Sequence, residues 1–243
     1  MSYYYPVDGN PMQSSVTFLA LTILSQIIGV MCILFTGVWL GVYWGGFIWS
    51  DPKALFNYHP IFMVLGMLFL YGDAILVYRV FRTYRKLPIK VLHAVLHVMA
   101  LLFAVIGLRA VFEMHNIQRI PNMYSLHSWL GIIAVVLFCV QWVIGLVAFL
   151  FPQVTQRQRA AVLPIHVSFG SMLHLLVVGV CISGITEKNF FSQAYSSFLP
   201  REMIGNVLGL FIILFGSIVF YLVNNPAYRR VEIVSPERQA LNE

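Results

Sequence analysis

The chain has 243 residues, of which 60% are hydrophobic, 15% aromatic and only 10% charged, and its mean hydropathy is +0.83. A soluble globular protein carries roughly 25% charged residues. The composition therefore excludes a disordered chain, a nucleic-acid-binding protein with a basic surface and an ordinary cytosolic enzyme. The formal net charge is +6, and in a membrane protein the positions of Lys and Arg are more informative than their sum.

Charged residues divide the sequence into long apolar runs. Each run is long enough for the roughly 20 residues that a helix needs to cross about 30 Å of hydrocarbon. The spacing predicts six transmembrane helices, near 17–43, 58–80, 91–113, 124–150, 165–186 and 203–224. Because the connecting segments are short, we expect residues 1–243 to form a single all-α membrane domain with a short cytosolic tail over 225–243.

Lys and Arg are distributed unevenly between the two sides of this bundle. The segments after the second and fourth helices and the tail hold Arg79, Arg82, Arg85, Lys86, Lys90, Arg157, Arg159, Arg229, Arg230 and Arg238. The segments on the other side hold only Lys53, Arg119, Lys188 and Arg201. Cytosolic segments of membrane proteins carry the excess of Lys and Arg. The distribution therefore predicts that both termini lie in the cytosol.

Four of the seven histidines lie at the starts of predicted helices. His59 and His127 open the second and fourth helices, whereas His93 and His166 open the third and fifth, which run in the opposite direction. This alternation predicts one histidine pair near each membrane face, separated by most of a span at about 1.5 Å per residue. Two imidazoles on opposite sides of one iron give a six-coordinate haem suited to electron transfer. The pattern thus favours two haems between the central four helices.

Two other interpretations of the histidines remain open. A zinc site usually needs three or four ligands, and single histidines often form only interhelical hydrogen bonds. His97 lies four residues after His93 on the same helix face, and we expect it to bond a haem propionate rather than to act as an alternative ligand. His174 lies midway along the fifth helix with no partner at its level, so we expect a packed, hydrogen-bonded side chain.

Five sequence strings, FNYHP, AILVYRVFR, KVLHAVLH, NMYSLHSW and LPIH, occur in an order and spacing that resembles the cytochrome b561 family over about residues 35–230. The sequence resembles the animal vesicle-type members, in particular the chromaffin-granule form, with the lysosomal and duodenal forms as near relatives. The resemblance implies a homodimer with two b-type haems per chain, held by His59 with His127 on the non-cytosolic side and by His93 with His166 on the cytosolic side. It also implies that cytosolic ascorbate donates electrons to monodehydroascorbate or a ferric chelate across the membrane.

The resemblance also implies two substrate sites. The cytosolic ascorbate site of the family uses basic residues, which correspond here to Arg79, Lys86, Lys90 and Arg159. A cluster of cations attracts the ascorbate monoanion, although loop Lys and Arg also set topology and extend to lipid headgroups. On the outer side the family pattern corresponds to His115, Asn122 and Tyr124.

Two residues differ from the family pattern. Arg109 stands one turn before Glu113, so we expect it to extend towards the membrane surface or to pair with Glu113. Asp73 lies within two turns of Arg79, and we expect these two side chains to pair. Neither is a predicted haem ligand, so the differences concern substrate preference and haem potential.

Two alternative functions remain. A six-helix transporter or channel with a histidine-lined proton or metal pathway would need polar residues throughout the middle of the bundle. A haem-binding subunit would need a partner that oxidises NAD(P)H, because the sequence has no G-x-G-x-x-G motif. We expect the membrane of a secretory vesicle, endosome or lysosome, or the plasma membrane, and as partners the two substrates, membrane lipid and a second copy of the chain.

Overall fold

The computed structural model describes residues 11–230, and the side chains from residue 15 onwards. The helices are α1 (Pro11–Tyr43), α2 (Pro52–Leu55), α3 (Tyr58–Met63), α4 (Tyr71–Val80), α5 (Lys86–Gln118), α6 (Leu126–Leu150), α7 (Gln156–Phe190) and α8 (Pro200–Asn224). A π-helical turn over Val64–Leu70 joins α3 to α4, and short 3₁₀ turns occupy Tyr195–Ser197 and Pro226–Tyr228. Most of the predicted tail over 225–243 lies outside the described residues.

Six segments of the described chain are long and apolar enough to cross a membrane, which confirms the predicted six-span, all-α fold. They cover Ser15–Tyr43, Pro52–Val80, Lys86–Gln118, Leu126–Leu150, Gln156–Phe190 and Pro200–Asn224. The fifth span was expected to begin near residue 165, but α7 begins directly after Thr155, whose side chain caps the N–H of Gln158. A capped, polar first turn carries no hydrophobic signal, so apolar patterning places this helix start too late.

The short connections make successive spans antiparallel and sort them between two ends of the bundle. At the end that we name the basic end lie the connections 81–85 and 151–155 and residues 225–230. At the opposite end lie the connections 44–51, 119–125 and 191–199. All four predicted haem-binding histidines lie on the segments between these ends.

The two larger of three buried clusters in the described residues hold the bundle together. α8 packs against both α1 and α7, and their shared cluster includes Trp39 and Phe215. The second cluster joins the second span (Pro52–Val80), α5, α6 and α7 around Tyr71, Ala104 and Phe138. These four segments therefore enclose a dense middle layer, and the histidine pairs lie on either side of it.

The π-helical turn in the second span has a buried hydrogen-bond partner. His174 is only 1% exposed, and its Nε2 donates to the carbonyl oxygen of Leu68 at 3.0 Å. Gly72 leaves room for this contact, since a Cβ there would lie 2.8 Å from the ring of Phe215 and 3.2 Å from Nε2 of His174. The predicted packed, hydrogen-bonded role of His174 is confirmed. The π turn also changes the direction of the side chains that follow it along the span.

The predicted pairing of Asp73 with Arg79 is wrong. Asp73 accepts a hydrogen bond of 2.7 Å from the side-chain amide of Gln26 on α1. Arg79 lies near the end of α4 and donates to the backbone carbonyl of Val223 on α8. Residues six positions apart on a helix lie on different faces, so each of the two side chains binds the neighbouring helix that its own face meets.

The expected pairing of Arg109 with Glu113 is confirmed, with Nε of the arginine 3.5 Å from Oε2 of the glutamate. The two side chains are 72% and 37% exposed, and an exposed pair of this kind contributes about 0–1 kcal/mol. The guanidinium also lies over the ring of Trp49 at 5.8 Å. Arg109 is thus held at the surface of the opposite end.

Candidate functional site

The structure brings His59 and His127 together near the opposite end, with their ring centres 6.0 Å apart. Nδ1 of His59 donates to the carbonyl of Gly107 at 3.3 Å, and Nδ1 of His127 donates to the carbonyl of Val180 at 3.0 Å. A backbone acceptor on Nδ1 fixes the tautomer that leaves Nε2 unprotonated. Both rings therefore keep a free lone pair, which is what a metal ligand needs.

His93 and His166 form the second pair near the basic end, with ring centres 6.3 Å apart. Nδ1 of His93 donates to the carbonyl of Ala74 at 2.7 Å. The backbone carbonyl of His166 accepts a 2.6 Å hydrogen bond from the Gln141 side chain, whereas its Nδ1 is buried without a partner. The two predicted pairs thus lie on opposite sides of the middle layer, each drawn from two helices that begin at the same end.

The spacing of both pairs suits one metal ion between two imidazoles. A metal–nitrogen bond of about 2 Å, plus about 1 Å from the nitrogen to the ring centre, gives a separation of about 6 Å between ring centres. Within residues 11–230 no group of three or more His, Cys, Asp or Glu side chains could hold a metal ion. A metal held by two imidazoles alone needs further ligands from a cofactor, and a porphyrin supplies four nitrogens. The residues present therefore fit a haem.

Glycines on the facing helices make room for two of the rings. A Cβ at Gly184 on α7 would lie 2.6 Å from Cε1 of His127, and a Cβ at Gly145 on α6 would lie 2.9 Å from Cε1 of His166. Both distances are shorter than van der Waals contact. The helix that faces each ring thus approaches it at a position without a side chain, and the histidine fills that space.

A cavity surrounds the His59–His127 pair and opens towards the opposite end; the space in and in front of it that protein atoms do not fill, open solvent included, is about 1200 Å³. His115 and Tyr124, two of the three residues predicted for the outer substrate site, line this cavity. Their rings are stacked with centres 6.0 Å apart. The third residue, Asn122, is exposed and donates to Asn116 instead.

The charged residues of the cavity wall are Glu187 and Lys188 of α7. Burial and the neighbouring carboxylate of Glu187, which also hydrogen-bonds it, raise the pKa of the Tyr124 phenol. Sequence reasoning missed both charged residues, because it used Lys188 only to count loop charges. The one available signal was a charged pair, Glu-Lys, at the outer end of an otherwise uncharged span.

Aromatic rings fill the space between the two pairs. His97 is 7% exposed, and its ring centre lies 4.5 Å from that of His93 and 5.1 Å from that of Tyr71. Tyr71 also contacts the rings of Phe138 and His174. His97 therefore shares a face with His93 as expected and points towards the middle layer. Its hydrogen bond to a haem propionate stays a prediction.

Three of the four predicted ascorbate-binding cations lie close together at the basic end. Nζ of Lys90 donates to the carbonyl of Phe149 at 2.9 Å, and Arg159 donates to the carbonyl of Phe151 at 2.8 Å. The charges of Lys86 and Arg159 both act on Lys90. The ring of Phe149 lies 5.3 Å from that of His166, so this cation cluster adjoins the second histidine pair.

The fourth cation, Arg79, has different surroundings. Arg79 donates to the Val223 carbonyl, and it also lies close enough to Arg229 for the two positive charges to repel each other. It is thus held where α4 meets the end of α8. Its role in ascorbate binding stays a prediction.

Comparison with known proteins gives consistent matches. The family model for eukaryotic cytochrome b561 matches residues 58–192, a region that contains both histidine pairs. The transmembrane ascorbate-dependent reductase of Sus scrofa is 43% identical over 220 residues, which cover 90% of this chain and 86% of that protein. The lysosomal membrane ascorbate-dependent ferrireductase of Mus musculus is 43% identical over 226 residues, covering 90% of this chain and 93% of that protein. The ferrireductase of the same name from Danio rerio is 42% identical over 231 residues, covering 91% and 94% respectively.

Proposed function

Because the chain belongs to the cytochrome b561 family, we propose that it is a transmembrane oxidoreductase that transfers electrons from cytosolic ascorbate to an acceptor across the membrane. The observation that carries the proposal is the presence of two imidazole pairs, with ring centres 6.0 Å and 6.3 Å apart, on opposite sides of the middle layer. The excess of Lys and Arg supports our proposal that the basic end and both termini face the cytosol.

Each chain is proposed to hold two b-type haems, one between His59 and His127 and one between His93 and His166. A haem with two imidazole ligands supplies one-electron transfer and leaves no position on the iron for a substrate. Backbone carbonyls orient three of the four imidazoles, all but that of His166. Buried rings such as Tyr71 and Phe138 exclude water from the layer between the two pairs. An apolar layer of this kind supports electron transfer over the alternative of a polar transport pathway.

Ascorbate is proposed to bind at the basic end. Lys86, Lys90 and Arg159 concentrate the monoanion there by electrostatic attraction. Lys90 donates to a carbonyl in the last turn of α6, and Arg159 donates to the carbonyl of the residue that follows α6. These bonds orient two long side chains in advance of binding and reduce the entropy lost on binding. The proximity of this cluster to His166 supports its assignment as the donor site.

The acceptor is proposed to approach through the cavity at the opposite end, where His115 and Tyr124 lie on the wall and Asn122 lies in the exposed connection. These side chains offer hydrogen bonds to monodehydroascorbate or to the ligands of a ferric chelate. We further propose a homodimer in the membrane of a secretory vesicle, endosome or lysosome, or in the plasma membrane. The names of two of the relatives, the ferrireductases of Mus musculus and Danio rerio, refer to the lysosomal membrane and support that compartment among these.

An ascorbate-reduced minus oxidised visible spectrum of the purified protein, with haem quantified per chain, tests the proposal. We expect two b-type haems per chain. His59→Ala should remove the haem of the His59–His127 pair, and His93→Ala should remove the haem of the His93–His166 pair. The matched control His174→Gln should retain both haems. A protein without haem, or with haem content that neither alanine substitution changes, would contradict the proposal.

A further inference from the structure

Lys188 is a cation on the wall of the cavity around His59 and His127. It lies in the last turn of α7, and its Nζ is 4.0 Å from the ring centre of Trp44 and 4.2 Å from that of Phe56. Aromatic faces attract an ammonium group and orient it without neutralising its charge. The side chain is therefore held in place beside the histidine pair.

The carboxylates of the described chain are engaged elsewhere. The partners of the acidic side chains are the N–H of Lys53 for Asp51, Gln26 for Asp73, Arg109 for Glu113, Tyr124 for Glu187 and Arg201 for Glu202. Glu187 is adjacent to Lys188 in sequence, but consecutive helical residues point about 100° apart. Between residues 15 and 230, no carboxylate lies within ion-pair distance of Lys188.

A second cation lies close by, and it differs from Lys188 in having a counter-ion. The guanidinium of Arg201 lies 4.8 Å from the ring centre of Trp44, the same ring that Lys188 contacts. Arg201 has Glu202 as its counter-ion at 2.8 Å, whereas Nζ of Lys188 contacts two aromatic rings and no carboxylate of the described residues is within ion-pair distance of it. A cation removed from water is unfavourable unless an anion pairs with it. Within the described residues Lys188 therefore lacks the close counter-ion that Arg201 has.

We propose that Lys188 binds an anionic oxygen inside this cavity and thereby positions the anion beside His59 and His127. The inference rests on the proposed function, which supplies two sources of such an oxygen. One is a propionate carboxylate of the haem between the two histidines. The other is the electron acceptor, which is an anion both as monodehydroascorbate and as a ferric carboxylate chelate.

The test uses the full-length protein with Lys188→Met, which removes the charge, and Lys188→Arg, which keeps it and still stacks on aromatic rings. Lys53→Met is the matched control, since Lys53 is an exposed cation at the same end and does not line the cavity. Two quantities are measured: the reduction potential of each haem, and KM for ferric citrate and for the cationic acceptor hexaammineruthenium(III). The haem of the His93–His166 pair reports whether each variant is folded.

A propionate partner predicts that Lys188→Met lowers the equilibrium constant for reduction of the haem at the opposite end by about tenfold, or 59 mV for one electron. An added electron is less stable without the cation. An acceptor partner predicts instead an unchanged potential and a KM for ferric citrate about tenfold higher, with no increase for hexaammineruthenium(III). In either case Lys188→Arg should restore most of the wild-type value.

The proposal is overturned if Lys188→Met matches Lys53→Met in potential and in both KM values. Failure of the proposed function is a separate result, because it appears in the wild-type protein as missing haem or as haem that ascorbate does not reduce. That result would overturn both proposals. Intact wild-type haem with an inert Lys188 would overturn only this one.

Discussion

Substituting Gly184 by alanine tests whether the position of the His127 ring determines haem binding. A Cβ at Gly184 would lie 2.6 Å from Cε1, 3.0 Å from Nδ1 and 3.2 Å from Nε2 of His127. Ordinary contacts of a Cβ begin near 3.4 Å. Because Gly184 is part of the long helix α7, the ring of His127 has to move away from it, by a distance on the order of 1 Å.

The expected effect follows from the bond that this movement would stretch. A metal–imidazole bond of about 2 Å does not tolerate a displacement of that size. Overpacking of this kind costs about 1–3 kcal/mol, which lowers haem affinity by about 5- to 150-fold at 1.4 kcal/mol per factor of ten. The ring is also tied to the Val180 carbonyl at 3.0 Å, so movement breaks a second contact.

Haem content per chain and a redox titration of the visible spectrum measure the result. Gly184→Ala should lose the haem of the His59–His127 pair and retain the haem of the His93–His166 pair. Gly179→Ala is the control, because Gly179 lies on the same helix and has nothing within 4 Å of its Cβ position. Equal content of both haems in the two variants would refute the steric argument.

Three further predictions concern the other parts of the site. Lys90→Met and Arg159→Met should each raise KM for ascorbate without changing haem content. The wild-type KM should rise with ionic strength, because salt screens the attraction between these cations and the ascorbate anion. Steady-state kinetics in low and high salt measure both effects on KM. Glu187→Gln should bring the pKa of Tyr124 down towards its ordinary value, because the raised pKa depends partly on that carboxylate. Folding favours the neutral phenol of Tyr124. The stability that this phenol contributes is therefore present below its unfolded pKa of about 10 and is lost as pH rises through its folded pKa. Phenolate absorbance, with Tyr124→Phe as reference, measures the change in the Tyr124 pKa. Gly72→Ala should destabilise the protein by about 1–3 kcal/mol, since its Cβ would lie 2.8 Å from the ring of Phe215, and a lower midpoint of thermal unfolding would show this.

The spans could be predicted because their signal is local. A run of about 20 apolar residues between charges specifies a transmembrane helix whatever it packs against. The ends of the helices were less predictable. α7 extends from Gln156 to Phe190, well beyond the predicted 165–186, because a polar first turn capped by Thr155 is stabilised by hydrogen bonds and not by burial.

The approximate depth of the histidines was also available from the sequence. Short connections force successive spans to run in opposite directions, so residues at the starts of alternate helices lie near the same membrane face. This argument groups His59 with His127 and His93 with His166, and the structure brings both pairs to within about 6 Å between ring centres. Depth does not determine rotation about a helix axis, so it favours these pairs without showing that the rings face each other, and the family resemblance implies the same pairs.

The sequence by itself determined the number of spans, their alternation and the levels of the histidines, since each depends on composition along one segment. Only the tertiary structure decided which side chains meet across helices. Asp73 meets Gln26, Arg79 meets the Val223 carbonyl 144 positions away, and Lys188 lies between two aromatic rings of other segments. Such contacts depend on how the helices are rotated and packed against each other. That arrangement results from the simultaneous fit of all six spans, which no single segment encodes.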